Sequence, residues 1–151
     1  RRWYPIMLIV DPQGVIKHWL CDQIGYIPTA EFICIGQFDE KKQDLIGAIG
    51  YDGLSENMVE MHSSGTPGSY WLTKEFLFKC FHFPFIVHGR EIVTSRVSTG
   101  NPVAVKMNLQ AGFTEQCRIK GGADDGDLII FTMYRAECKW LRMEKLYKEA
   151  A

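Results

Sequence analysis

The segment NMVEMH, residues 57 to 62, carries a carboxylate and an imidazole, Glu60 and His62, on a stretch that otherwise reads as a strand. Either group could act as a general base, directly or through a water. The two are expected on opposite faces of the strand, so that at most one points at a reacting group. The next residues, SSGTPGS (63–69), form a loop in which Gly65 and Gly68 give the backbone freedom to approach a ligand closely. Other clusters read as structural. Cys80, His82 and His88 lack the spacing of a zinc site, and GGADDGD (121–127) is too short a run of ligands for calcium. No metal site is expected. Neither a Ser/His/Asp nucleophile pattern nor a phosphate-loop motif is present in the sequence.

These groups need elements to hold them. Apolar spacing predicts a helix over Gln13 to Ile24, and Ile6 to Val10 reads as a short strand or the end of a helix. Glu31 to Phe38 and Leu45 to Tyr51 read as a hairpin around the charged turn Asp39 to Asp44, with Asn57 to His62 as a third strand. Leu72 to Phe83 is expected to be a helix with Thr73 as its cap and Glu75 in its first turn. Its phenylalanines (Phe76, Phe78, Phe81, Phe83, with Phe85 beyond) are candidates for the core and for a dimer face. Glu91 to Ser98 is a β-branched strand. In NPVAVKMNLQAGF (101–113), Asn101 is a favourable cap, Pro102 fits the first helical position and Gly112 fits a left-handed stop. Gln116 to Lys120 and Leu128 to Tyr134 close a last hairpin, and Glu137 to Lys148 reads as a charged terminal helix. The order implies an α+β fold with a mixed sheet.

Composition narrows the class. At 151 residues, 46% of them hydrophobic, the chain is expected to form one domain with a packed core. A net charge of −1 argues against a nucleic-acid binder that works by general electrostatics. Five cysteines without a CxxC pair read as reduced thiols of a cytosolic protein. The apolar run from Phe76 to Val87 is interrupted and too short for a membrane span. The chain starts Arg1-Arg2-Trp3 without an initiator Met, which reads as a truncated N-terminus.

The order of elements, with the pattern Asn-x-x-Ala-x7-Gly-Phe at Asn101, Ala104, Gly112 and Phe113, resembles the GCN5-related N-acetyltransferase superfamily. WLTKEFLFKCFHFPFIVHGREIVTSRV (71–97) is similar to that superfamily's cofactor helix and following strand. DLIIFTMYRAECKWL (127–141) is similar to the closing strand of its phage and bacterial branch. The likeness spans roughly residues 31 to 142.

The resemblance implies a mostly antiparallel sheet whose central parallel strands splay apart. It also implies use of acetyl-CoA as cofactor and direct acetyl transfer to a primary amine of a protein or small molecule. By the same likeness, the pantetheine arm would lie along Met61, His62 and Ser63, flanked by Asn101 and Val105. The pyrophosphate would sit on Gly65, Gly68, Tyr70, Trp71, Thr73 and Lys74. Glu60 or His62 would be the base, and a backbone N–H near Met61 or His62 would polarise the thioester. Two departures are visible. SSGTPGSYWLTKE (63–75) has Tyr70 and Trp71 where the superfamily usually has glycine and contains no Arg, and Asn108 stands where many members carry an acidic Tyr. The same fold serving as an inactive binding or virion module is the alternative expectation. No nucleic-acid or membrane partner is expected, and a homodimer could form through an apolar sheet edge or the Phe-rich helix. The implied location is the cytoplasm, or a host cytoplasm or virion if phage-encoded.

Overall fold

The protein is described by a computed structural model over residues 14–28, 32–53 and 55–145. The expected element over Ile6 to Val10 lies outside these residues. The described chain runs α1 (Val15–Ile24), β1 (Ile33–Asp39), β2 (Asp44–Gly53), β3 (Met58–Gly65), α2 (Lys74–His82), β4 (Ile92–Ser98), α3 (Pro102–Ala111), β5 (Thr114–Ala123) and β6 (Gly126–Tyr134). The strands form one sheet in the order β1-β2-β3-β4-β6-β5. All neighbours pair antiparallel except β3 and β4. The fold is therefore the expected α+β arrangement with a central parallel pair.

Strand alternation sorts the residues onto two faces. Ile35, Ile49, Val59, Met61, Val93, Val97, Ile129, Phe131 and Met133 point to one face and form the main core with α2 and α3. Cys34 and Ala48 point the other way, where Ile16 and Leu20 of α1 cover them. The phenylalanines of α2 and the turn after it, Phe76, Phe78, Phe81, Phe83 and Phe85, are all buried. They are spent on the core and leave no aromatic face for a second chain. The sheet edge at β5 carries Glu115, Arg118 and Lys120 around the exposed Ile119, so it is a mixed and largely charged edge.

Several element ends differ from expectation for local reasons. Strand β3 continues to Gly65 because β2 pairs with it as far as Gly47, which takes three residues from the expected loop. Helix α2 does not stop cleanly at Phe83. Pro84 has no N–H to offer the carbonyl of Cys80, and the chain widens into one π-type turn over Phe83–Val87, closed by His88 N–H donating to Phe83 O at 3.0 Å. The Cys80 carbonyl instead accepts from the Tyr51 hydroxyl at 2.6 Å, so the gap left by proline is filled from β2. Over Arg135–Glu137 and Lys139–Met143 the C-terminal segment forms short 3₁₀ turns where the expected helix was to begin; Glu144 and Lys145 are helical, and residues 146–148 of that expectation lie outside the described residues. Tertiary contacts interrupt it: Cys138 is buried, and Trp140 Nε1 donates to Ala111 O at 2.7 Å. None of the five cysteines is in a disulfide.

The expected cap of α3 is present. Asn101 Oδ1 accepts from Ala104 N–H at 3.1 Å, and Gly112 closes the helix at φ 103°. Asn101→Ala should therefore lower unfolding stability by about 1 kcal/mol in denaturant titrations.

Candidate functional site

Strands β3 and β4 pair through Met58↔Ile92, Val59↔Val93 and Glu60↔Thr94 only. Beyond that point β3 continues to Gly65 against β2, and β4 continues to Ser98 against β6. The two strands diverge, and residues 61–65 and 95–98 turn unpaired backbone edges into the gap. Such edges bind an extended ligand as a further strand would.

On the α2–α3 side the gap is nearly closed. A cavity of about 40 Å³ lies there between Met61 and Ser63 of β3, Ser95 of β4, Trp71, and Asn108 of α3. Trp71 is only 8% exposed, and its indole lies flat across Gly47 and Gly65. A Cβ at either glycine would fall on the ring, so both positions must stay bare. Tyr70 beside it is 80% exposed. The loop between β3 and α2 is tied to β2, with Thr66 N–H donating to Ile46 O at 2.8 Å, and it turns at Gly68 with φ 77°. Thr73 caps α2 by accepting from Phe76 N–H at 3.1 Å, as expected. That leaves the N–H groups of Lys74 and Glu75 at the helix start. The acid of Glu75 in this first turn is matched by Lys79 at 3.2 Å.

The opposite face carries the titratable groups. Glu60 and His62 do not project from opposite faces. Two residues is one full pleat, so both point toward the α1 side, and His62 Nε2 lies 2.9 Å from Glu60 Oε1. That approach is close but off the line of a directed hydrogen bond. The carboxylate of Glu60, itself 4% exposed, is gripped by Arg96 from β4: Nε donates to Oε2 at 2.5 Å and Nη2 donates to Oε1 at 2.8 Å. Burial pushes the Glu60 carboxyl up, but the contacts with His62 and Arg96 outweigh it and hold the group below its usual range. Tyr26, just after α1, stacks on the His62 ring at 4.0 Å between centroids and donates to Asp52 Oδ2 at 2.6 Å. Asp52 is the direct cross-strand partner of Glu60 and is 1% exposed.

Burial, then the bond to Asp52 and its charge, pushes the Tyr26 phenol up to about 12. A raised folded value means that the neutral phenol stabilises the fold fully below its ordinary pKa of 10, and that this contribution is lost as pH rises through about 12. Burial and its bond to the Cys80 carbonyl push the Tyr51 phenol up as well, so absorbance titration should show two tyrosines that ionise late, and Tyr26→Phe should remove one of them.

Among the residues expected to bind a cofactor, Met61, Ser63 and Trp71 line the cavity in the gap, while His62 and Gly65 lie on the same diverging length of β3. Gly68, Tyr70, Thr73 and Lys74 lie along the loop and the start of α2. Asn101 and Val105 do not line the cavity; α3 reaches it through Met107, Asn108 and Ala111, one to two turns further on. Asn108 Nδ2 donates to Ala104 O at 2.8 Å. The hydroxyls of Ser98 and Thr99 are engaged with the β5–β6 hairpin: Ser98 donates to Asp125, and Thr99 Oγ1 accepts from Asp127 N–H at 2.8 Å, which pins the hairpin over the junction.

Arg96, Tyr26 and Asp52 are missing from the expected site. One signal for Arg96 was present in the sequence. A lone Glu and a lone Arg each sit within a largely apolar central strand, and pairing such strands brings opposite charges together.

Among the described residues, no group of three or more His, Cys, Asp or Glu could hold a metal ion, and no helix is long and apolar enough to cross a membrane.

No protein-family model matches the chain, and no curated protein matches it by sequence. Solved structures do match. A mutant form of the spermidine/spermine N-acetyltransferase SpeG from Vibrio cholerae is similar at a TM-score of 0.70 and 14% identity, covering 91% of this chain and 98% of that one. SpeG from the same organism in complex with manganese ions is similar at 0.67 and 13% identity, covering 95% and 96%. Its dodecameric intermediate state matches at 0.67 and 11%, covering 95% and 97%. The chain shares its fold with these N-acetyltransferase structures over nearly the whole length, the fold that the resemblance to the GCN5-related N-acetyltransferases implies.

Proposed function

We propose that the chain is an acetyl-CoA-dependent N-acetyltransferase that moves the acetyl group directly to a primary amine. The observation that carries this reading is the divergence of β3 and β4 after Glu60 and Thr94, which leaves two strand edges open at the centre of the sheet. The edges fit the amide-bearing pantetheine arm, because each amide can satisfy a strand group that has no partner. Met61 to Ser63 would hold that arm. The loop from Gly65 to Lys74 and the open N–H groups at the start of α2 would receive the pyrophosphate, with Lys74 as the adjacent cation.

In the reaction the neutral amine attacks the thioester carbonyl, a C–N bond forms, the C–S bond breaks, and the amine's proton leaves as the thiol is released. A backbone N–H of β3 near Met61 or His62 polarises the carbonyl. Glu60 is held ionised by Arg96 and is a weak proton acceptor, so it orients and balances His62. His62, an imidazole at the point of divergence, is the better placed base, acting through a water. Asn108 has no ionisable proton, so the departing thiolate takes its proton from the amine or from solvent.

Isothermal titration with acetyl-CoA tests the reading. Micromolar binding, followed by thiol release with an amine, supports it. No binding at millimolar ligand would mean that Trp71 and its loop keep the pyrophosphate out, and the reading would fall.

A further inference from the structure

We infer that the amine acceptor carries a carboxylate next to its amine, as an α-amino acid with an apolar side chain does, and that Arg96 selects it. This rests on the acetyltransferase reading. With the α2–α3 side of the gap reduced to about 40 Å³, an acceptor reaches the point of divergence from the other face. There a groove of about 360 Å³ starts at Glu60 and Arg96 and runs across β4 and β6. Its floor is largely apolar, with Met58, Ile92 and Ile130, and Tyr134 at its end.

The charges facing this groove decide what it takes. Glu60 is its only acid, and both of its oxygens are occupied by Arg96, with His62 against one of them. Asp52, the neighbouring acid, is buried with Tyr26 on one oxygen. No carboxylate is therefore open to receive the distal ammonium of a polycation. Arg96 is different: its side chain is 49% exposed, and Nη1 has no partner among the described residues. Its fork is anchored on one side by Glu60 and offers the other to a planar anion. A carboxylate bound there sets the attached amine beside the diverging strands, and an apolar side chain lies along Ile92 and Ile130. The acceptor chemistry thus differs from the polyamine named for the structurally similar SpeG.

The test compares L-leucine, L-leucinamide and spermidine as acceptors in a thiol-release assay with acetyl-CoA, on the wild-type chain and on Arg96→Lys, which keeps a cation against Glu60. Leucine should exceed leucinamide at least tenfold in kcat/KM, through KM, and Arg96→Lys should shrink that ratio. Equal use of the amide, or preference for spermidine, would overturn the inference while leaving the acetyltransferase reading intact. If acetyl-CoA binds and no amine turns over, titration with N-acetylleucine decides: binding lost in Arg96→Lys supports the inference, and no binding, or binding unchanged in Arg96→Lys, overturns it. Failure to bind acetyl-CoA removes the reading and this inference with it.

Discussion

Replacing Trp71 with alanine should lower the stability of the protein by about 3–5 kcal/mol, the range for removing a buried large aromatic side chain. The indole is 8% exposed and covers two bare positions of adjacent strands, Gly47 on β2 and Gly65 on β3, with its edge against Phe76 at 6.0 Å. The two glycines beneath the ring carry no side chain that could fill the space it leaves. The complementary substitution tests the same contact from below. Gly65→Ala puts a methyl group on the ring and should cost about 1–3 kcal/mol by overpacking. Because the clash needs both partners, the double variant Trp71→Ala/Gly65→Ala should be more stable than the sum of the single losses allows. Denaturant unfolding of the three variants measures this, and strict additivity would show that the ring does not rest on Gly65. The acetyl-CoA affinity of Trp71→Ala is equally informative. Tighter binding would identify the indole as the barrier at the pyrophosphate loop, and weaker binding would make it part of the cofactor floor.

Arg96→Ala should have the second large effect, because it leaves the buried carboxylate of Glu60 without its fork. Breaking a buried ion pair costs about 3–5 kcal/mol, but Arg96 is half exposed and His62 stays beside the carboxylate, so about 2 kcal/mol is expected at neutral pH. The pH dependence separates this from lost packing. In the wild type the folded Glu60 pKa lies below the ordinary value of 4.5, so its contribution is complete above 4.5 and is lost as pH falls through the folded value. Without Arg96, burial acts with less opposition and raises the carboxyl. The stability difference between wild type and variant should therefore shrink as the solution is acidified, which unfolding midpoints from pH 7 down to about pH 3 would show. A constant difference would assign the loss to the aliphatic stem of Arg96.

The sequence determined the element order and much of its local chemistry. Asn101, Pro102 and Gly112 specify α3 because a cap, a first-turn proline and a left-handed stop are properties of neighbouring residues. Thr73 fixes the start of α2 in the same way, and the β-branched run of β4 is legible as a strand. These are short-range effects, and the chain carries them wherever it folds. The resemblance at residues 101–113 extended this to the fold itself.

The site was legible only in part. Glu60 and His62 were visible as candidates, but their arrangement was not, and the period of a pleated strand places them side by side. Three further facts depended on long-range pairing: Arg96 arrives from a strand thirty-odd residues away, Tyr26 from the segment after α1, and Asp52 from across the hairpin. The C-terminal segment shows the same limit. Up to Met143 its helical composition gives way to tight turns because Cys138 and Trp140 find partners in the rest of the fold. Trp71 is the clearest case. In the sequence it is an aromatic residue in a loop, and only the approach of Gly47 to Gly65 across β2 and β3 creates the bare surface that it covers. Local order follows from neighbours in the chain, whereas the buried charge network and the closure of the gap exist only once distant strands are in register.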